Sequence, residues 1–344
     1  MNAQSPLTIL LIPGDGVGAE VIPAAAEVLR ALGLDLHFQQ AEAGFGCFTR
    51  RGTALPEETL ALARQADAIL FGATASPSTR VDGYRSPILA LRRALGLYAN
   101  LRPVVSMPFE FSRPGVDLLV VRENSEGLYS GRERVETPDT AIAERLISRA
   151  ASERIARLAC ELALRRAAER QRPPRLTVIH KANVLKLSDG LFRESALKVA
   201  AGYPDIAVEE LLVDAAAMHL VRSPQRFDVL LAPNLYGDIL SDEASALVGG
   251  LGFAPSANVG EGTPLFEPVH GSAPDIAGQG IANPTGAILS AALMLETLGL
   301  PAEAKRLRAG VQRTLAAGIR TPDAGGSATT QAFTQAVIAS LSRF

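Results

Sequence analysis

"LLIPGDGVGAE" (Leu10–Glu20) completes the first apolar run of the chain and turns out of it. Gly14, Gly16 and Ala19 fall at the spacing G-x-G-x-x-A, the fingerprint of a turn that seats a dinucleotide pyrophosphate at a helix N-terminus. Read literally, it makes this a Rossmann fold. That fingerprint also needs an acid closing the second strand, and here Asp35 comes too early and Glu42 too late. The glycine spacing alone does not decide the fold, so the rest of the chain must.

The chain has 344 residues, long for one compact core, which predicts two domains. Apolar residues make up 47% and charged residues 20%, the balance of an ordinary globular protein. A formal charge of −2, no Lys/Arg-rich run, no Trp and 5% aromatic residues argue against a nucleic-acid partner. "MNAQSPLTILLIPG" lacks a charged n-region and reads as a first strand, not a signal peptide. No apolar run is long enough for a membrane span. Cys47 and Cys160 lie far apart in different patterns, as in a reduced, cytoplasmic protein.

Strand-like runs alternate with amphipathic helical ones: "LTILLIP", "AEVIPAAAEVLRALG", "LDLHFQQAE", "PEETLALARQA", "DAILFGA". The pattern predicts an α/β fold with strands covered by helices on both faces. "VDLLVVRE", "RLTVIHK" and "FDVLLAPN" read as further strands, and residues 137–170 as one long helix or two. From Gly249 to Gly286 the chain is rich in Gly, Pro, Ser and Asn and reads as a long loop. A loop that long in a compact domain is functional or disordered, and its confident helical flank, "AILSAALMLETLG", favours function.

Chemistry concentrates in a few places. In "PNLYGDILSDEAS", Asp238 and Asp242 lie four apart on one helix face, where like charges repel unless a cation intervenes. Two solvated acids are the alternative, but Ile239, Leu240 and Ala244 beside them favour a site for Mg²⁺ or Mn²⁺. Asp214 and Lys181 each follow a strand, where α/β proteins build their sites. A lysine near a metal and out of water can act as a base; otherwise it caps a strand end. Arg92, Arg102 and Arg122 gather at element ends, and guanidinium forks match carboxylates, so together they point to a polycarboxylate substrate. The Tyr129 hydroxyl can deliver a proton or simply pack.

These blocks, in this order, resemble the metal-dependent β-decarboxylating dehydrogenases of isocitrate, 3-isopropylmalate and homoisocitrate nearly end to end. "IPGDGVGAEV", "LYANLRPV", "RENSEGLY", "HKANVL", "NLYGDILSD" and "EPVHGSAPDIAGQGIANP" carry the likeness. It implies a two-domain fold with a large mixed sheet flanked by helices, not a Rossmann fold. One discontinuous cofactor-binding domain would comprise residues 1–102 plus 251–344, and a dimerising, metal- and substrate-binding domain residues 103–250. The adenosine half of NAD would then lie on "VHGSAPDIAGQGIANP", and the first glycine turn would serve the nicotinamide end.

The resemblance implies Asp238 and Asp242 as metal ligands of one subunit, joined by Asp214 and Lys181 of the neighbour in a homodimer with composite sites, or a tetramer. Arg92, Arg102 and Arg122 would clamp the malate carboxylates, with Tyr129 the proton donor and Lys181 the base. Thr74, Asn183, Glu267, His270, Gly271, Ala273, Asp275, Ile276 and Asn283 would bind the cofactor. Asp275 implies NAD, because a carboxylate accepts from a 2′-hydroxyl but repels a 2′-phosphate. NADP-dependent relatives carry Lys-Tyr where this chain has Asp275-Ile276.

"SPSTRVDGYRSPILALRR" (Ser76–Arg93) is similar to the loop of homoisocitrate dehydrogenases. Ile88 and Leu89 could line an apolar pocket for isopropylmalate, whereas Arg85 and Ser86, one turn earlier, suit a third carboxylate. Some homoisocitrate enzymes carry an arginine where this chain has Leu89. The expected order is homoisocitrate, isocitrate, then 3-isopropylmalate, with a tartrate- or malate-type substrate after them. A non-catalytic regulatory subunit would have lost an acid, Lys181 or Tyr129, and none is lost. A metal-free Rossmann oxidoreductase would work in excess chelator.

Overall fold

The computed structural model describes residues 6–79 and 81–341. Their contacts form two compact units, one from residues up to Gly96, Met107–Ser112 and Gly249 onward, the other from Leu97–Ser106 and Arg113–Val248. The first unit opens with β1 (Leu7–Gly14), α1 (Gly18–Ala31), β2 (Leu36–Gln40), α2 (Phe45–Arg51), α3 (Glu57–Gln65), β3 (Ala68–Ala73) and α4 (Pro87–Ala94). The second holds β4 (Ala99–Val105), β5 (Asp117–Glu123), β6 (Glu133–Thr137), β7 (Thr140–Ala143), α5 (Arg149–Arg170), β8 (Arg175–His180) and α6 (Ser188–Ala200). It continues through β9 (Ala207–Leu212), α7 (Val213–Arg222), β10 (Val229–Ala232) and α8 (Asn234–Ala246). The chain then returns to the first unit with β11 (Pro255–Val259), β12 (Leu265–Pro268), α9 (Thr285–Thr297), α10 (Pro301–Ala316) and α11 (Thr330–Leu341).

Each unit carries five strands of mixed sheet. In the first unit their order is β2-β1-β3-β12-β11, parallel except for β11 against β12. In the second it is β4-β5-β10-β8-β9, with β4 antiparallel to β5 and the others parallel. This is the mixed α/β architecture the family resemblance implies, and it is not a Rossmann sheet. Ile9, Leu10, Leu11 and Ile12 of β1 and every residue of β3 are buried, as continuous apolar runs covered on both faces must be. In the second unit Leu118, Val120, Ile179, Leu220, Leu230 and Leu240 share one core. Truncating one of these, as in Leu230→Ala, would cost about 2–5 kcal/mol.

Three expectations need correction. Residues 137–170 are not helical throughout: β6 and β7 form an exposed hairpin around Pro138 and Asp139, and the helix begins only after Ser148. Proline and aspartate favour the turn, and the Ser148 hydroxyl accepts from the Ala151 N–H to start α5. The 249–286 stretch is not one loop, because Pro255–Val259 and Leu265–Pro268 pair antiparallel inside the sheet. Burial on both faces erases the polar alternation that would reveal them. Arg102 lies in mid-strand, not at an element end, and β4 pairs with β5 along its whole length. The first boundary between the two units falls at Gly96/Leu97.

Candidate active site

The opening turn has no room for a pyrophosphate where its fingerprint would put one. Gly16 has φ +56°, and a β-carbon there would lie 2.0 Å from the Ser272 carbonyl oxygen. Val17 donates its N–H to that same carbonyl at 2.9 Å. A β-carbon on Gly14, at φ +76°, would lie equally close to the Ala73 carbonyl oxygen. Asp15, between the glycines, turns its carboxylate away and accepts the N–H groups of Phe45, Gly46 and Ala75 at 2.7, 2.8 and 2.9 Å. The turn is a seat for protein backbone.

What it seats is the segment 269–284. Besides the Ser272 contacts, Glu20 of α1 accepts from the Gly278 N–H at 2.7 Å, and the Thr330 N–H and hydroxyl reach the Gly280 and Ala282 carbonyls. The segment is therefore built into its unit, not a floppy connection. Ala273 holds a strained φ of +38°, and Gly271 and Asp275 are exposed beside half-buried Ile276. His270 places Nδ1 3.0 Å from the Gly271 carbonyl and leaves Nε2 buried without a partner; burial lowers its pKa. Both ends of the Asn283 amide are used, Nδ2 on Asp323 and Oδ1 on the Thr285 N–H. Thr74 directly follows β3 and is half-buried.

In the same unit Arg92, nearly buried in α4, donates to Glu267 at 2.7 Å, and Glu267 also accepts from Asn258. The structure thus pairs a predicted substrate arginine with a predicted cofactor residue. Arg85 is exposed just ahead of α4. Ser86 is the helix N-cap, but its hydroxyl makes no cap bond. Ile88 and Leu89 follow, half-buried.

The second unit joins five predicted residues in one cluster. Arg102 donates from Nη1 to Asp242 at 2.9 Å and lies 3.1 Å from Asp238 through Nη2. Arg122, 2% exposed, donates to Asp238 Oδ1, and the Tyr129 hydroxyl donates to Asp238 Oδ2. The Arg122 guanidinium lies over the Tyr129 ring, 4.9 Å from its centroid. Each arginine is aimed by a polar neighbour that sequence reasoning missed: Asn100 and Ser241 on Arg102, Asn234 on Arg122. All three lie inside the family-like blocks, but nothing in the sequence marks their roles. Gly237 lets Arg122 pass, since a β-carbon there would lie 2.8 Å from the arginine side chain. Burial pushes the Asp242 carboxyl up against the pull of Arg102, and Asp238 adds to the rise. Burial and the bond to Asp238 raise the Tyr129 phenol.

Lys181, just past β8, pairs with Asp214 on the first turn of α7, and the Lys181 N–H donates to buried Asp189 at 2.6 Å. The hydrogen bond from Lys181 holds the Asp214 carboxyl below its ordinary range. Asn183 is exposed two residues on. Among the described residues, no three His, Cys, Asp or Glu side chains of one chain converge to hold a metal. Asp214 does not join Asp238 and Asp242 within the chain.

Residues 8–337 match the family described as isocitrate/isopropylmalate dehydrogenase. The isocitrate/homoisocitrate dehydrogenase of Thermus thermophilus is 56% identical over 97% of this chain and 98% of its own length. The 3-isopropylmalate dehydrogenase of Methanothermobacter thermautotrophicus is 50% identical over 93% of this chain and 94% of its own. The crystal structure of isocitrate dehydrogenase from Methylococcus capsulatus matches with a TM-score of 0.92 at 40% identity, covering 97% of this chain and 99% of that one. This chain belongs to the isocitrate/isopropylmalate dehydrogenase family and is an oxidatively decarboxylating dehydrogenase.

Proposed function

We propose that this enzyme oxidises and decarboxylates homoisocitrate to 2-oxoadipate, using NAD and Mg²⁺ or Mn²⁺, in a homodimer with composite sites. Enzymes of the family depend on a divalent metal and a nicotinamide dinucleotide and take small polycarboxylates. The observation that carries the substrate reading is Arg85, exposed, beside a Ser86 hydroxyl unused by its own helix. A cation, a hydroxyl and a helix N-terminus suit a carboxylate on the variable substituent, which 3-isopropylmalate lacks. Isocitrate carries the same carboxylate on a shorter arm and is the second reading.

The donor set fits a hard divalent cation in part. Asp238 and Asp242 already converge on one positive group, the Arg102 guanidinium, and a cation of that class takes six or more oxygens. The third carboxylate would be Asp214 of a second copy. Val184, Met218 and Val221 are exposed around Lys181 and Asp214, with Leu187 90% exposed, an apolar surface that a second copy would cover.

When bound, the cation supplies charge that acidifies the substrate 2-hydroxyl and steadies the electrons left as CO₂ departs, while NAD accepts the hydride from C2. Arg102 and Arg122 then pair with the malate carboxylates in place of the aspartates. Lys181 of the second copy takes the 2-hydroxyl proton. Tyr129 gives its phenolic proton to C3 once the carboxylate has gone. Exposed Asp275 supports NAD, since it can accept from the ribose 2′-hydroxyl.

Comparing kcat/KM for homoisocitrate, isocitrate and 3-isopropylmalate, each with NAD and NADP, tests this reading. Preference for homoisocitrate with NAD is expected. Preference for 3-isopropylmalate would make Ile88 and Leu89 the substituent pocket and overturn the substrate reading.

A further inference from the structure

Residues 74–86 link β3 to α4 and end in the pair proposed to choose the substrate. Arg85, at the end of this link, is exposed. Two devices hold the link. The Asp15 carboxylate accepts the Ala75 N–H at 2.9 Å while its other bonds go to Phe45 and Gly46 at the start of α2. Tyr84 donates its hydroxyl to the Ala75 carbonyl at 3.0 Å, so both polar groups of one peptide residue are fixed.

The Tyr84 ring packs edge-on against Phe45 and Phe48, 5.4 Å from each centroid and at 79° and 78° to their planes. Such edge-to-face packing is directional as well as apolar. Phe45 and Phe48 stack on each other at 6.2 Å and share α2, so together they form one aromatic wall. Tyr84 immediately precedes Arg85, which places its Cα about 3.8 Å from that of Arg85 and passes any movement of the ring on to Arg85 and Ser86.

We infer that Tyr84 is the positioning residue for substituent selectivity: wedged against Phe45 and Phe48 and bonded to Ala75, it sets where Arg85 and Ser86 meet the distal carboxylate. The inference rests on the reading of Arg85 and Ser86 above. The Tyr84 ring and hydroxyl are both engaged by protein, so its effect should appear as discrimination between substrates.

The experiment measures the ratio of kcat/KM for homoisocitrate to that for 3-isopropylmalate in wild type, Tyr84→Phe, Tyr84→Ala, Arg85→Ala and Tyr84→Ala/Arg85→Ala. Tyr84→Ala should lower the ratio about tenfold through KM for homoisocitrate, since small misplacements of binding groups cost that much or more. Tyr84→Phe keeps the ring and should stay within about threefold of wild type. The double variant should lose little beyond Arg85→Ala, as expected for residues acting through one contact. Phe48→Leu, which removes one wall, should shift the ratio the same way and serves if Tyr84→Ala does not fold.

An unchanged ratio in Tyr84→Ala, or an equal loss of kcat on both substrates, overturns the inference, as do additive effects in the double variant. The Arg85→Ala ratio tests the underlying reading separately. If Arg85→Ala alone leaves the ratio unchanged, that reading fails while Tyr84 is still judged by its own effect.

Discussion

Tyr129 donates its hydroxyl to Oδ2 of Asp238, whose other oxygen lies between the guanidinium groups of Arg102 and Arg122. The phenol is thus tied to the carboxylate proposed to hold the metal. Burial, and then Asp238, keep its proton in place until an acceptor arrives. Tyr129→Phe should retain hydride transfer but lose steady-state turnover by about 10²–10⁴-fold, the usual worth of a positioned acid. A rapid-mixing trace of NADH formation followed by a stalled steady state would confirm it. Unchanged turnover would remove Tyr129 from the mechanism.

Gly16 is a backbone contact, and its replacement should behave as one. An alanine would have to hold φ +56° with its β-carbon 2.0 Å from the Ser272 oxygen. Gly16→Ala should cost about 1–3 kcal/mol from backbone strain alone, read as a lowered Tm. Because Ser272 lies in the proposed adenosine segment, KM for NAD should rise more than KM for substrate. A rise in substrate KM alone would contradict that role.

Cofactor choice should follow the charge at residue 275. Asp275→Lys combined with Ile276→Tyr exchanges a carboxylate for a cation where a 2′-phosphate would sit. The NAD:NADP ratio of kcat/KM should fall by at least about tenfold, the worth of 1.4 kcal/mol. A ratio that does not move would place the ribose elsewhere.

Much of this was legible in the sequence because burial writes itself into apolar runs. β1, β3, β5, β8 and β10 were all readable as strands, and Asp238 and Asp242 as a helix-face pair. The glycine turn was misleading when read alone. G-x-G-x-x-A describes a tight strand-to-helix turn, and only the position of Ser272 reveals that its face is filled by backbone. The β6–β7 hairpin was lost because it is exposed on both faces and lacks a burial period. Asn234 was invisible as a functional residue because it meets Arg122 from 112 positions along the chain, and Asn100, two residues before Arg102 on β4, because an asparagine in a strand carries no mark of the arginine it aims.

Asp117 contributes acid sensitivity to the second unit. Burial by itself would raise its carboxyl, but hydrogen bonds and charge from Arg170 and Arg166 outweigh this and hold it below the usual range. A carboxyl depressed in the folded state contributes stability above its unfolded pKa of about 3.9 and loses it as pH falls through the folded value. Asp117→Asn should therefore be destabilised at pH 7 by about 1–3 kcal/mol, and the gap to wild type should close below about pH 4. Denaturant melts across that range check the sign. A gap that widens on acidification would contradict it.

The composite site proposed here joins Asp238 and Asp242 of one chain to Asp214 and Lys181 of another. It is tested most directly by mixing two dead variants, Lys181→Ala and Asp238→Asn, unfolding them together and refolding. Each homodimer has both sites broken. A mixed dimer has one site carrying both lesions and one carrying neither. Composite sites give inactive parents and a mixture regaining about a quarter of wild-type NADH formation, since half the dimers are mixed and each has one intact site. A mixture as dead as its parents, with exchange verified by differently tagged chains, would contradict it, because every site would then draw all its residues from a single chain.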